Sequence, residues 1–145
     1  MKVRLKRLMM IVLLVSVAPL SFGKPVTYEI DPNHTFPAFE ADHMGGLSLW
    51  RGKINSTSGE IVLDKKNKTG SVNVVMEMLS IDFGHDEMNK RAKSDDMFDI
   101  EEFPQASYEG KLINFQDGAP TKVEGELTLH GITKNVDLEI KAFKC

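Results

Sequence analysis

Four histidines are the residues of this chain best suited to metal binding or acid–base chemistry: His34, His43, His85 and His130. No two of them have the short spacing of a metal-binding or zinc-protease motif. His34 and His43 could face one another across neighbouring strands, and Asp82 could approach His85. Because nothing else in the sequence marks a ligand set, the spacing favours histidines hydrogen-bonded at strand ends, and we predict no metal site.

A dense acidic run is the second candidate for chemistry. It reads SDDMFDIEEF and carries Asp95, Asp96, Asp99, Glu101 and Glu102. A hydrolase with paired carboxylates needs them held several ångströms apart in a cleft, which sequence spacing alone does not provide. The chain has no GxSxG motif, its Gly-Gly pair reads as a turn, and its single cysteine has no recognisable base. The sequence therefore predicts a solvated acidic loop, no enzymatic activity and no cofactor.

Soft apolar side chains are abundant, with 8 methionines and 8 phenylalanines among 145 residues. Flexible methionine side chains adapt to irregular or flexible ligands. The alternative is an ordinary core, because a core and the wall of a ligand cavity have similar compositions.

Alternation of apolar and polar residues with period two runs through most of the chain after residue 23. One example is the set of apolar residues at every second position from 72 to 78, as in half-buried antiparallel strands: Val72, Val74, Met76 and Met78. The predicted strands are 27–30, 34–41, 48–56, 60–64, 70–79, 105–115, 121–129 and 132–142. Many short strands separated by turns indicate an all-β protein, and the pattern alone leaves a sandwich and a small barrel open.

One segment, residues 85–94, breaks this alternation. It places Asp86 four residues before Lys90 and Glu87 four residues before Arg91, which supports a helix. The predicted fold is therefore all-β with one short helical insertion.

The first 23 residues have the pattern of a secretory signal peptide. Four basic residues precede an apolar run at 8–20, which is short for a bilayer span, and Ser21-Phe22-Gly23 then supplies small residues at the positions that a signal peptidase reads. A retained N-terminal anchor is the alternative. Because four of the 18 basic residues and none of the 21 acidic ones lie in this leader, cleavage leaves 24–145 with a net charge of −7. We expect a periplasmic domain with no transmembrane anchor, no nucleic-acid partner and little attraction to anionic lipid surfaces.

Several segments together resemble the YceI-like family of exported bacterial proteins. They read YEIDPNHTFPAFEADHMGG, INSTSGEIVLD, SIDFGH, SDDMFDIEEFPQASYEG and GELTLHGITKNVDLEI. The resemblance implies a lipocalin-like extended antiparallel β-barrel with a helical insertion, and binding of a polyisoprenoid or other long-chain amphiphile. It also implies a possible homodimer. The helix lacks the Arg-Asp-x-His-Leu stretch of many members, and Asn135 replaces a usual proline.

The resemblance further implies that the chain is truncated, since family members continue for some tens of residues beyond this point. Cys145 would then lack a disulfide partner, and the last strand would present an unpaired edge, which favours aggregation.

These expectations give a proposed ligand tunnel and two rival functions. The predicted tunnel lining is Phe36, Phe39, Val72, Val74, Met76, Met78, Phe83, Met88, Phe98, Phe103, Leu127 and Leu129. The leading hypothesis is carriage of an isoprenoid or similar lipid through the periplasm. The rivals are a secreted structural or stress-response module with a filled core, and an enzyme that uses His34, His85 and the acidic run around Asp96.

Overall fold

A computed structural model of the chain describes residues 23–144. Cys145 and all of the predicted signal peptide except Gly23 therefore lie outside the described residues. The strands are β1 (Val26–Glu29), β2 (Ala38–His43), β3 (Ser48–Ile54), β4 (Thr57–Asp64), β5 (Thr69–Glu77), β6 (Ile81–Asp82), β7 (Gln105–Ile113), β8 (Lys122–Leu129), β9 (Ile132–Asn135) and β10 (Leu138–Glu139), with one helix, α1 (Asp86–Lys93). The all-β class and the single short helix are confirmed.

The larger sheet is antiparallel and runs in the order β1-β4-β5-β7-β8-β10, with β9 also paired to β8. β9 and β10 keep one register along β8, from Leu129↔Ile132 to Val123↔Leu138. They are therefore two parts of the final strand that the sequence predicts. His130 and Gly131 join β8 to β9 with φ values of 51° and 69°, the left-handed conformation that a two-residue hairpin turn requires.

The smaller sheet has the order β2-β3-β6. Strand β2 begins at Ala38, four residues later than predicted, because the preceding chain forms a turn around Asp31. The Asp31 carboxylate accepts a hydrogen bond from the Asn33 backbone N–H at 2.9 Å and contacts His34 Nδ1 at 2.7 Å. Strand β6, only two residues long, was not predicted.

One long hairpin passes through both sheets and bends between them. Ile54 pairs with Ile81 in the smaller sheet, whereas Thr57 pairs with Met76 in the larger one. The 3-10 turn Met78–Ser80 places extra residues on one side of this ladder. Extra residues on one strand bend a sheet sharply, and such bends let strands pass from one sheet to another.

Helix α1 is fixed at its start and along its side. The His85 ring accepts a hydrogen bond from the Met88 backbone N–H at 3.3 Å, and two acidic residues occupy the first turn, where the helix dipole favours them. The Asn89 side chain donates to the Asp82 carboxylate at 3.1 Å and accepts the Phe83 backbone N–H at 2.6 Å. These bonds attach the predicted helix to β6.

Side chains from both sheets meet in one core. Its buried apolar members are Ile54, Leu63, Val72, Met76, Met78, Ile81, Ala92, Ala106, Tyr108, Leu112 and Val123. In 23–144 no helix is both long enough and apolar enough to cross a membrane.

The predicted closed barrel is not observed. A barrel closes only when the two outer strands of a sheet find hydrogen-bond partners around the circle. Within the described part of the chain, β1 pairs only with β4, while β9 and β10 pair only with β8. The two sheets therefore enclose their shared core as a bent, open shell.

Strand β9, at an edge of the larger sheet, carries an exposed charge on the face that it shares with the cavity. Lys134 pairs with Leu127, and side chains directly opposite one another in an antiparallel pair share a face. An inward-pointing charge on an edge strand disfavours pairing with another chain. We therefore expect Lys134 to disfavour pairing of this edge with another chain.

Candidate functional site

An apolar cavity of about 410 Å³ lies between the two sheets. The larger sheet contributes Val72, Val74, Met76, Ala106, Tyr108, Leu127, Leu129, Val136 and Leu138, and the remaining wall is Pro37, Ala38, Phe39, Ile54, Met78 and Phe98. Because Leu138 is 42% exposed, the cavity reaches the surface beside β10. The volume falls within the range of pockets that bind small organic ligands.

Strand register explains why these side chains meet. Val74 lies opposite Tyr108, and Tyr108 lies opposite Leu127, so the three form a row across β5, β7 and β8. Met76 lies opposite Ala106 one step further along the same face. The period-two pattern therefore produces a continuous apolar wall. Because Ala106 is small, it leaves space in this wall next to the longer side chain of Met76.

Tyr108 is the one residue with a polar side chain among the described residues that line the cavity. Its hydroxyl donates a hydrogen bond to the Val136 carbonyl oxygen at 2.8 Å. Burial raises the pKa of this phenol above its ordinary value, and the negative charge of Asp137 adds to the effect. The phenol therefore stays neutral, and its hydrogen is already donated to a backbone carbonyl. The lining offers no charge to a ligand.

Aromatic rings close the side of the cavity formed by the smaller sheet. Phe39 contacts Phe98 edge to face with ring centres 6.2 Å apart, and it contacts Phe83 at 5.5 Å. The Phe98 backbone N–H donates to the Ala92 carbonyl at 3.1 Å, which links this ring to the end of α1. The position of α1 thus helps to set the position of this wall.

The structure brings eight of the twelve predicted lining residues to the cavity. They are Phe39, Val72, Val74, Met76, Met78, Phe98, Leu127 and Leu129. Their contact with a ligand stays a prediction.

The other four predicted residues lie elsewhere. Phe36 is 46% exposed beneath the Lys53 ammonium, and Phe103 packs on the His130 ring at 4.4 Å. Phe83 lies behind Phe39, and Met88 is half-buried on α1. All four lie outside the strands, so none follows the period-two pattern that placed the larger sheet's side chains.

Tyr108 and Ala106 are the main lining residues that the predicted site omitted. Both lie within the predicted strand 105–115, and both alternate with outward-facing residues in step with buried Leu112. This alternation was a usable signal. Val136 and Leu138 lie within the predicted strand 132–142, and they were not named as site residues.

The residues considered for catalysis are bonded to near neighbours. Asp96 forms an ion pair with Arg91 at 3.1 Å, and His34 contacts Asp31 at 2.7 Å. His85 caps α1 and packs against Trp50 with ring centres 5.8 Å apart. Over residues 23–144, no group of three or more side chains is arranged to hold a metal ion.

A larger depression of about 930 Å³ lies on the outward face of the larger sheet. Glu109, Glu124 and Glu126 are among the residues that line it, and all three are exposed. Because its walls are polar and solvated, this depression provides little driving force for an apolar ligand. The smaller cavity between the sheets is the better candidate site.

Comparison with known proteins identifies the family. Residues 28–145 match the model of the YceI-like domain. The UPF0312 protein of Vibrio campbellii is 34% identical over 124 residues, which cover 83% of this chain and 65% of that protein. Protein YceI of Escherichia coli O157:H7 is 34% identical over 117 residues, covering 79% and 60% respectively.

Solved structures show the same fold. The Campylobacter jejuni YCEI protein superposes with a TM-score of 0.58 at 24% identity, covering 79% of this chain and 68% of that one. Burkholderia cenocepacia BcnA superposes with a TM-score of 0.56 at 22% identity, covering 70% and 63%. The chain spans 60% to 65% of the length of the curated relatives described above. By its sequence match over 28–145, the chain belongs to the YceI-like domain family.

Proposed function

We propose that this protein binds the apolar tail of a polyisoprenoid or similar long-chain amphiphile between its two sheets and carries it through the periplasm. The observation that carries the proposal is the cavity of about 410 Å³ whose lining has no charged side chain and whose one hydroxyl is already bonded. Burial of hydrocarbon in such a cavity is favourable, whereas a polar substrate would lose its hydrogen bonds to water and find no free partner in the lining.

The cavity volume sets the length of tail that fits. At roughly 30 Å³ for each water-sized group, about 14 methylene-sized groups fill 410 Å³. Burial at about 0.8 kcal/mol for each methylene contributes roughly 11 kcal/mol. Association costs on the order of 4–15 kcal/mol, so a tail of about a dozen carbons is near the minimum for useful affinity.

A longer tail has an exit. Leu138 lines the cavity and is also 42% exposed, so a chain that overfills the space emerges beside β10. The polar head of the amphiphile then remains in water, where its solvation costs nothing.

Carriage through the periplasm is supported by the N-terminal sequence. The basic start, the apolar run at 8–20 and the small residues Ser21 and Gly23 are typical of a cleaved export signal. A water-filled compartment between two membranes requires a carrier for long hydrocarbon chains, because their exposure to water is unfavourable.

Mass spectrometry of organic extracts from the purified protein tests the proposal. We expect a long-chain lipid in the extract, or uptake of an added isoprenoid at one molecule for each protein chain. A protein that neither carries a lipid after expression nor takes up added isoprenoids would contradict the proposed function.

A further inference from the structure

The turn between β2 and β3 exposes apolar side chains to solvent. We define the β2–β3 tip as residues 44–49, in which Met44 is 72% exposed, Leu47 is 76% exposed and Leu49 is 60% exposed. No residue of the tip is charged, nor is Trp50, which follows it. The turn between β4 and β5 is different, because it contains three lysines among residues 65–68.

The fold does not require these apolar residues. The turn is made by Gly45 and Gly46, with φ values of +66° and +91°. It is pinned by the Asp42 carboxylate, which accepts a hydrogen bond from the Gly46 backbone N–H at 2.6 Å. Turn residues are usually polar, so a tip with exposed Met44 and Leu47 needs another explanation.

The side chains behind the tip are arranged in layers. Trp50 follows it and packs against the His43 ring with ring centres 5.6 Å apart. Further back, the Arg51 guanidinium forms an ion pair with Glu40 at 2.8 Å. The Asp42 carboxylate is the exception to this order, since it lies opposite Leu49, and it accepts the Gly46 N–H inside the turn. Apart from that bonded carboxylate, aliphatic side chains come first, an amphipathic aromatic next and an ion pair last, which is the order in which proteins meet the interface of a bilayer.

We propose that the β2–β3 tip docks reversibly on a lipid bilayer. Strand β2 connects the tip directly to the cavity wall, since Phe39 lies five residues before Met44, about 17 Å along an extended strand. Docking there would let the proposed carrier load or deliver its ligand at the membrane, and this purpose rests on the proposed function. The docking itself does not depend on an occupied cavity.

The size of the tip favours a bilayer over a protein partner. A stable protein interface buries about 800 Å² on each side and involves some 20 residues or more. The tip offers three apolar side chains, whereas insertion into a bilayer needs no matching surface. A single fourteen-carbon acyl chain gives only marginal, reversible membrane binding, and the tip has fewer carbons to bury. Docking should therefore be weak, as a carrier that must leave the membrane requires.

The single tryptophan makes this inference directly measurable. Trp50 is the only tryptophan in the chain and lies next to the tip. Its fluorescence therefore reports on the surroundings of the tip and not on those of the N-terminal segment. With the full chain and phosphatidylcholine vesicles, we expect a blue shift of Trp50 emission and quenching by phosphatidylcholine brominated on its acyl chains. Adding anionic phosphatidylglycerol should not strengthen the response, because acidic residues outnumber basic ones in the chain.

A pair of matched variants tests where the contact lies. Leu47→Glu should lower vesicle partitioning by roughly tenfold or more, because it replaces an inserting side chain by a charge. Leu79→Glu changes a residue that is 68% exposed in the 3-10 turn near the opposite end of β3, and it should leave partitioning unchanged. Both sites are exposed, so both variants should fold.

Three results would overturn the inference. One is Trp50 emission that vesicles do not change, and another is equal loss of partitioning in the two variants. The third is a blue shift that grows with protein concentration without vesicles, which would assign the tip to contact with a second copy. None of these results bears on lipid extraction, so the docking inference and the proposed function fail separately.

Discussion

Replacing Ala106 by phenylalanine should block the cavity while leaving the fold intact. Ala106 is 3% exposed, lines the cavity and lies opposite Met76 on the inner face of β7. Its small side chain leaves the neighbouring space open. A phenyl ring at this position would enter existing space, so the backbone need not move.

The expected loss of affinity follows from the cavity volume. Phenylalanine adds six carbon atoms, which displace roughly six of the 14 or so methylene-sized groups that fit in 410 Å³. At about 0.8 kcal/mol for each methylene, the bound tail loses roughly 5 kcal/mol, which is more than a thousandfold in dissociation constant. Filling a void adds contacts, so the free energy of unfolding should rise or stay within about 1 kcal/mol of the wild-type value.

Two measurements decide the outcome for Ala106→Phe. Titration with a fluorescent amphiphile carrying a twelve-carbon tail gives the dissociation constant, and urea unfolding gives the stability. Glu109→Phe is the matched control, because Glu109 lies on the same strand with an exposed, outward-facing side chain. If Ala106→Phe folds normally and still binds the probe as tightly as Glu109→Phe, the ligand does not occupy this cavity and the reasoning is wrong.

Three further predictions concern stability and solubility. Tyr108→Phe removes the donor to the Val136 carbonyl, so the free energy of unfolding should fall by about 1 kcal/mol in urea titration, and an unchanged value would contradict the role given to this bond. Hydrogen bonds from the Gly84 backbone N–H and then the Asn89 side chain are the main causes that hold the pKa of Asp82 below its ordinary 3.8. The stability that these bonds confer is therefore present above about pH 4 and lost as the pH falls through the lower folded-state pKa. Asp82→Asn should consequently be less stable than wild type at pH 7, with the difference shrinking at pH 3, and urea titrations that show a constant difference would count against it. Lys134→Val should aggregate faster than wild type in light scattering, because it removes the charge on the cavity face of the β9 edge, and equal scattering would refute that role.

Local patterns were enough to predict most elements of the fold. Alternation placed β5 and β8 close to their observed bounds, and i,i+4 charge pairs placed α1 within one residue at each end. Both patterns depend on interactions between residues close in sequence or on one face of an element, which the sequence displays directly. The apolar wall of the cavity followed from the same alternation, because every inward position of a strand faces the same side.

Pairing between distant strands could not be predicted in the same way. The predicted barrel depended on closure by the edges at β1 and β9, and no local pattern records whether two edges meet. The bend at Met78–Ser80 was hidden as well, because its residues continue an apolar run that reads as strand. Phe103 shows the same limit, since a loop aromatic can be buried against many neighbours and here packs on His130.

The most direct measurement is a crystal structure of the protein with an amphiphile whose twelve-carbon tail ends in bromine. The account predicts an anomalous bromine signal between the two sheets, within van der Waals distance of Met76 and Leu127 and remote from the outward-facing carboxylates. Bromine located only on the outer surface, with the space between the sheets filled by repacked side chains, would contradict it.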